Sequence, residues 1–547
     1  MDQVRARTAT ASAIALAVVS GTVSAATAAG TGAVQADIRA DVNRDGAVDV
    51  TGDSDVRGKT MWNSGRGAIF LPNIGDKQRR CKTRRPDGRW LSNAPLQACN
   101  DAQGTVVGAP EYLAPLRTVP VGNVSDAATG SLRLVGAGKS KVRLFLKRGD
   151  TWTYVTAGTR VTAAELRAGL RLGLDGRDVI REGWDGRITV RFTVTDGERT
   201  STDEVMLRAA PVLPQHHLQR TEQALVVDGN RDDPNRRKFA HELAEEVRRA
   251  GITRPTYKFK GGSDIWAQDF IEPGYVSMPG PGGKPRVLRV MIRSAQMDRD
   301  PGKQVFELRG PGAGALQINT GRYDQINSTG NLETIPPYTH NGTSHPAGRI
   351  ITGRHGSRLR KAQRDGYGHT KVFSIPRSYA DGRVPTIDQA LSDRQLLKAN
   401  AFAARKIKEN LALLKRETGV TDAEIVRIPA MYDSSFGGLP GQRPAPAQDR
   451  PVGAYHPGAV NGVVLTPTTY LAPKQWGPVI GGKDILAEAV TRAYAKAGMR
   501  VRYLDDWRTH HAFGGEVHCG TNTIRATGTP GEPPPSRTGL TVHRRLK

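Results

Sequence analysis

A multidomain α+β architecture, β-rich at first and α/β thereafter, is what the sequence predicts, and three observations predict it. The chain has 547 residues, more than one hydrophobic core organises, since single cores stop growing near ~250–300 residues. Strict apolar alternation runs through Arg187-Ile188-Thr189-Val190-Arg191-Phe192-Thr193-Val194, the period of a half-buried strand. Beyond Pro211 the period changes, and short apolar strands alternate with amphipathic helices, the order from which α/β layers are built. The 62 Gly and 34 Pro argue against coiled coils and helical bundles, while 37% hydrophobic residues suffice for packed domains.

In chain order, Arg5 and Arg7 precede an apolar run from Ala13 to Val19 and the small residues Val23-Ser24-Ala25-Ala26, so residues 1–30 are expected to be a signal peptide and leader, and the product secreted. No later apolar run approaches the ~20 residues of a membrane span. Residues 31–212 read as a β domain. Besides the alternating segment, Lys141 to Leu146 and Glu204 to Leu207 offer strands, and a β-sandwich of roughly immunoglobulin type is the natural expectation. Residues 213–526 form the α/β half, opening with Ala224-Leu225-Val226-Val227 and a helix from about Pro234 to Ala250 that puts Phe239, Leu243 and Val247 on one face before Gly251. A second helix is expected to open with Ser392 and Gln395 in capping-box spacing, present Ile407, Leu411 and Leu414, and end at Gly419. A third, from about Asp484 to Ala497, closes at Gly498. Residues 527–547, with Pro533-Pro534-Pro535, read as an irregular tail.

The chain carries 79 Lys+Arg against 53 Asp+Glu, a formal +26. That charge suits acidic partners, but it is dispersed, and no strand shows the aromatic and basic interleaving of a single-strand binder. No nucleic-acid partner is expected. There are three cysteines. In an oxidising compartment Cys81 and Cys99 could close a local disulfide, which leaves Cys519 as an odd thiol, either reactive or a buried small hydrophobe.

Three segments carry chemistry. Asp41-Val42-Asn43-Arg44-Asp45-Gly46 places oxygens at alternate positions with Gly at the sixth, the first half of a calcium loop. The twelfth position is Gly52 rather than Glu, and Asp49, Asp53 and Asp55 follow instead. The expected ligands are Asp41, Asn43, Asp45, Asp49 and Asp53; a solvated Asx turn is the alternative. Trp266-Ala267-Gln268-Asp269-Phe270-Ile271-Glu272 sets two carboxylates and an amide around aromatic rings, suited to a cation. Gly514-Gly515-Glu516-Val517-His518-Cys519-Gly520-Thr521-Asn522 crowds glycines around a thiol, and a thiol nucleophile requires activation by an electropositive environment.

Together these segments resemble the protein-arginine deiminases. Trp266-Ala267-Gln268-Asp269 with Glu272 and Gly274-Tyr275, then Arg309-Gly310-Pro311, Gly330-Asn331-Leu332-Glu333, Pro336-Pro337, Gly348-Arg349-Ile350, Leu413 to Glu417, Gly477-Pro478-Val479-Ile480 and Gly515 to Asn522 occur in that family's order. The Asp41 to Asp53 loop with Trp62 and Gly67-Ala68-Ile69 is similar to its calcium-binding immunoglobulin-like domain. The resemblance implies a pentein-type α/β propeller over 213–526 and calcium-dependent hydrolysis of arginine to citrulline in proteins or peptides. Cys519 matches the nucleophile, Asp269 a carboxylate that grips the guanidinium, and Trp266 a wall of the arginine slot. Gln268, Glu272 and Glu333 match calcium ligands, while Phe270 replaces the acid of a second site nearby.

One departure is large. Family members carry Asp-Trp followed by Gly-His-Val-Asp-Glu, which supplies the acid/base histidine and a second guanidinium clamp. Here Gly348-Arg349-Ile350 leads almost directly to Leu359-Arg360-Lys361, so the segment is absent near Arg354 to Arg358 and one propeller blade is incomplete. His518 and His369 are poor substitutes, His518 because neighbours in extended backbone face opposite ways. Losing positioned proton transfer costs on the order of 10²–10⁴ in rate, so a silent calcium- and cationic-peptide-binding protein is the second reading.

Overall fold

The computed structural model describes residues 33–228, 233–259, 264–296, 299–318, 327–332, 334, 338–340, 343–345, 350–355, 357–376, 383–434 and 452–527. The expected leader, the tail beyond 527 and Glu333 lie outside them.

The β-rich half is a sandwich of two five-stranded sheets. Its strands are β1 (Ile38–Ala40), β2 (Ala68–Phe70), β3 (Ala114–Thr118), β4 (Thr129–Val135), β5 (Val142–Arg148), β6 (Thr151–Tyr154), β7 (Val161–Thr162), β8 (Arg171–Gly176), β9 (Arg187–Asp196) and β10 (Arg199–Ala209). One sheet runs β1-β3-β8-β5-β6 and the other β2-β10-β9-β4-β7, and their inner faces share one core. The alternation in β9 is the reason: Ile188, Val190, Phe192 and Val194 are buried on one face while Arg187 and Arg191 face out. Strand β5 breaks the pattern because Arg143 points inward. Its guanidinium donates to Asp175 through Nε (2.8 Å) and Nη2 (2.6 Å), Asn73 Nδ2 adds a third bond to that carboxylate at 2.9 Å, and both charged side chains are 0% exposed. A buried pair persists only with its hydrogen bonds filled in this way.

Two helical segments accompany the sandwich, α1 (Asn93–Ala98) and α2 (Ala163–Ala168). Cys81 and Cys99 are joined, with Cα atoms 5.6 Å apart, as the spacing suggested. The loop they close carries α1, whose Leu96 packs among Ala267, Phe270 and Ile271 of the second half. Arg293 Nη1 donates to Asn93 Oδ1 at 2.7 Å, and Arg309 Nη1 donates to the carbonyls of Leu96 (2.9 Å) and Cys99.

The second half is mixed α/β. Strands β11 (Leu213–Pro214), β12 (Thr221–Val227), β13 (Tyr257–Phe259), β14 (Ile271–Met278), β15 (Arg286–Arg293) and β16 (Ala313–Gln317) build a β11-β14-β15-β16 sheet and, with the closing strand Thr521–Arg525, a β13-β12-closing sheet. Val276, Met278, Leu288, Val290, Ile292 and Leu316 join the sandwich core, so the halves are fused through apolar side chains.

The helices are α3 (Pro234–Arg249), α4 (Ala267–Phe270), α5 (Ser357–Ala362), α6 (Ile387–Ser392), α7 (Arg394–Thr418), α8 (Ile485–Lys496) and α9 (Val517–Gly520). Helix α3 buries Phe239, Leu243 and Val247 against Ala224 and Val226 of β12. Helix α7 ends at Gly419, φ 74°, but its start corrects the expected Ser392–Gln395 box. Asp393 is the cap, accepting from the amides of Gln395 and Leu396, and Ser392 ends α6, which has its own Thr386–Gln389 box. An aspartate one residue nearer the helix wins because its carboxylate reaches two free amides. A strand at Ile350–His355 pairs in parallel with Ile425–Ala430, and α5 begins two residues after it ends. No described helix is long and apolar enough to cross a membrane.

Candidate active site

Two short helical turns, each feeding a strand, face one another. Helix α4 carries Gln268 and Asp269 and runs into β14, which carries Glu272. Helix α9 carries Cys519 and runs into the closing strand. Asn522 Nδ2 donates to the Ile271 carbonyl at 2.6 Å, tying the two strand starts together. The backbone at His518 and Cys519 is therefore helical, which corrects the extended backbone assumed above. His518 interacts electrostatically with Arg525 and, through burial first and that cation second, is lowered to about 4.

The geometry brings Trp266, Asp269 and Cys519 together. Gly515 sits between two of them: a Cβ there would overlap the Trp266 ring at Cζ3, 2.8 Å from its Cη2, and lie 3.2 Å from Cys519 Cβ, so only glycine lets the indole close on the nucleophile's turn. His510, buried and neutral with its pKa lowered to about 3 by burial, backs the indole with ring centroids 5.5 Å apart. Cys519 remains partly exposed. Burial pushes its thiol up to about 11, reinforced by the negative charges of Asp269 and Glu516 and opposed by hydrogen bonds from the Glu516 main chain and Asn461. The environment is electronegative, the reverse of what a resting thiolate needs.

Asp269 is already engaged. Arg299 donates to Asp264 through Nε (2.7 Å) and Nη2 (2.6 Å), and its Nη1 lies 3.2 Å from Asp269 Oδ2. Asp264 and Asp269 thus hold a flat guanidinium belonging to the chain itself. Gln268 and Glu272, both buried, meet through Gln268 Nε2 and Glu272 Oε2 at 3.0 Å; Glu333 lies outside the described residues.

Sequence reasoning missed the polar floor of this site. Asn461, far away in the chain, places Nδ2 3.3 Å from Cys519 Sγ. Under α9, Glu516 Oε1 pairs with His511 Nδ1 at 3.0 Å and accepts from Gly458 N at 2.8 Å. Asp506, 1% exposed, has no N–H donor to either oxygen among the described residues, and its carboxyl lies against that of Glu516. Burial and the neighbouring Glu516 hold its carboxyl far above the usual range, and Glu516 is raised by burial as well. Two such carboxyls share a proton rather than both ionise. Glu516 flanks the Cys519 segment, and that adjacency was the available signal.

In the sandwich loop, Asp41 accepts from the amides of Asp45 (3.0 Å) and Gly46 (3.0 Å), and Asn43 Nδ2 donates to Asp45 Oδ2 at 2.8 Å. Burial, reinforced by Asp45 and Asp55, pushes the Asp41 carboxyl up to about 6. Asp55, which was not among the expected ligands, is fully buried and collects the amides of Val42, Asn43 and Asp49. Asp49 accepts from Ser54 Oγ at 2.7 Å. Asp53 lies outside this cluster, exposed and 3.4 Å from Arg57. Among the described residues no three His, Cys, Asp or Glu converge as a ready metal cage.

A thiol beside a carboxylate and an indole, on a mixed α/β half fused to a β-sandwich, defines a class: proteins with a cysteine site walled by an acid and an aromatic ring. The comparisons narrow it. The family model described as protein-arginine deiminase matches residues 199–361 and 357–529, and the chain belongs to the protein-arginine deiminase family. It is 25% identical over 429 residues to the type-3 protein-arginine deiminase of Rattus norvegicus, covering 65% of this chain and 61% of that one. It is 27% identical over 392 residues to the type-4 protein of Mus musculus, covering 59% and 55%. The chain thus spans less than two thirds of the length of these relatives. Among solved structures, an agmatine deiminase of C. jejuni aligns at 12% identity and TM-score 0.28, covering 58% of this chain and 98% of that one. A putative arginine deiminase from Porphyromonas gingivalis aligns at 11% and 0.25, covering 57% and 98%.

Proposed function

We propose that the chain is a secreted, calcium-dependent protein-arginine deiminase that hydrolyses arginine in proteins or peptides to citrulline and ammonia. In this reading a pentein-type propeller with one incomplete blade bears the site, and an immunoglobulin-like sandwich bears a calcium loop. The observation that carries the reading is the convergence of Cys519, Asp269 and Trp266. Asp269 binds and orients the substrate guanidinium, Trp266 packs against its face, and the incoming cation offsets the negative surroundings that hold Cys519 protonated. The thiolate sulfur adds to the guanidinium carbon, a C–N bond breaks, and that nitrogen takes a proton and leaves as ammonia. Water then adds to the same carbon, the C–S bond breaks, and the thiolate returns as the urea oxygen forms.

The donors present fit calcium. Asp41 is a buried carboxylate crowded by Asp45 and Asp55, and Gln268 with Glu272 offers buried oxygens beside α4, the hard ligands that calcium prefers. Bound there, the ion supplies positive charge that neutralises crowded carboxylates and orders the turns carrying them. Asp41, Asn43, Asp45 and Asp49 would hold it in the loop, and Gln268, Glu272 and Glu333 at the site.

Two observations favour a second reading, a silent binder of calcium and cationic peptides. Arg299 already engages Asp269, and the two stretches matched by the family overlap at 357–361, next to Arg354 to Arg358, where the family's histidine-bearing segment is read as absent. One assay separates the readings: citrulline and ammonia from a peptidyl-arginine substrate, with calcium and with a chelator. Calcium-dependent product above a Cys519→Ala control is the expected result. Calcium-dependent peptide binding with no product above that control establishes the silent binder.

A further inference from the structure

We infer that Asn461 is a catalytic residue, whose side-chain amide donates to sulfur and cradles the Cys519 thiolate. The inference rests on the reading of Cys519 as nucleophile. Asn461 Nδ2 lies 3.3 Å from Sγ, within reach for a sulfur acceptor, and a charge-assisted bond of this kind strengthens when sulfur ionises.

The position of the amide is over-determined. The Asn461 carbonyl accepts from His518 N (3.0 Å) and its own N–H bonds to the Gly458 carbonyl (2.8 Å). Gly458 N in turn donates to Glu516 Oε1 (2.8 Å). On the other side Gly462 N donates to the Tyr470 hydroxyl (2.8 Å), which donates to the Val460 carbonyl (2.9 Å). Main-chain bonds thus hold Asn461 against α9 whatever its side chain does, and the amide is left facing the sulfur. A preorganised donor aimed where charge develops is the cheapest way to stabilise it, and here it acts where Asp269 and Glu516 oppose ionisation. The side-chain Oδ1 of Asn461, 3.6 Å from Sγ, can accept from the resting thiol, so one amide serves both protonation states.

Cys81 and Cys99 are bonded to each other, so alkylation of the intact chain by iodoacetamide reads Cys519 alone. Asn461→Ala should raise the pH at which alkylation inflects by about one unit. At a fixed pH below that inflection it should slow the reaction only about threefold, because the more basic thiolate is intrinsically more nucleophilic. Asn461→Asp keeps the shape and both main-chain bonds but opposes a carboxylate to the sulfur, so it should raise the inflection further than alanine. If Asn461→Ala fails to fold, judged by circular dichroism, Asn461→Asp carries the test. Profiles superposing on the unmodified chain, or an aspartate variant matching it while alanine shifts, would overturn the inference. Alkylation needs no turnover, so a shift without citrulline production leaves the cradle standing and removes only the deiminase reading.

Discussion

Two of the centres at which the chain buries carboxylates settle their charge differently. In the sandwich, Asp175 is matched by Arg143 with two bonds and by Asn73 with a third. Beneath the nucleophile, Asp506 lies against Glu516 with no cation to match it among the described residues, and a retained proton does the neutralising. The first is a closed arrangement whose value is structural. The second leaves charge that varies with pH directly behind the thiol. Burial alone therefore does not mark a functional carboxylate; the identity of its neutralising partner does.

The sharpest way to break this comparison is Arg143→Met, which strands Asp175 in the core and should cost about 3–5 kcal/mol in urea unfolding. A cost near zero would mean that Asp175 is neutralised by a proton too. Next in size is Asp506→Asn. Both carboxyls of the Asp506–Glu516 pair are raised above their ordinary values of 3.8 and 4.5, so the folded state holds protons that the unfolded state has released. Their contribution is full below those ordinary values and is lost as pH rises through the raised ones. Melting followed across this range should show stability falling as pH rises, and Asp506→Asn should flatten the slope, gaining on the order of 1–2 kcal/mol at alkaline pH. An unchanged slope would place the titrating groups elsewhere. The smallest effect belongs to Asp53→Ala. This exposed carboxylate should matter by less than about 0.5 kcal/mol and leave calcium affinity by calorimetry unchanged, whereas Asp41→Ala should weaken it.

Much of the fold was legible. Alternation marked β9, glycines after α3, α7 and α8 marked their ends, and two cysteines 18 residues apart formed the bond their spacing suggested. The site was legible where chemistry is contiguous, as in Trp266 to Glu272 and Gly515 to Asn522. It was illegible where function is assembled from distant parts. Asn461 meets Cys519 across 58 residues, and nothing local distinguishes it from other asparagines. Arg299 reaches Asp264 from 35 residues away, so the internal guanidinium on the pocket carboxylates could not be read from pattern. At α7 the failure was of another kind, since capping-box spacing pointed to Ser392 while Asp393, one residue nearer the helix, takes the free amides.

The core shared by the two halves has a practical corollary for anyone dissecting the molecule. Severing the polypeptide near residue 212 would bare Val276, Leu288 and Val290 on one fragment and their sandwich partners on the other, and would take away the sulfur-bridged strap that wedges Leu96 beneath the Trp266 to Phe270 turn. Such fragments should stick to each other or precipitate rather than behave as two independent proteins.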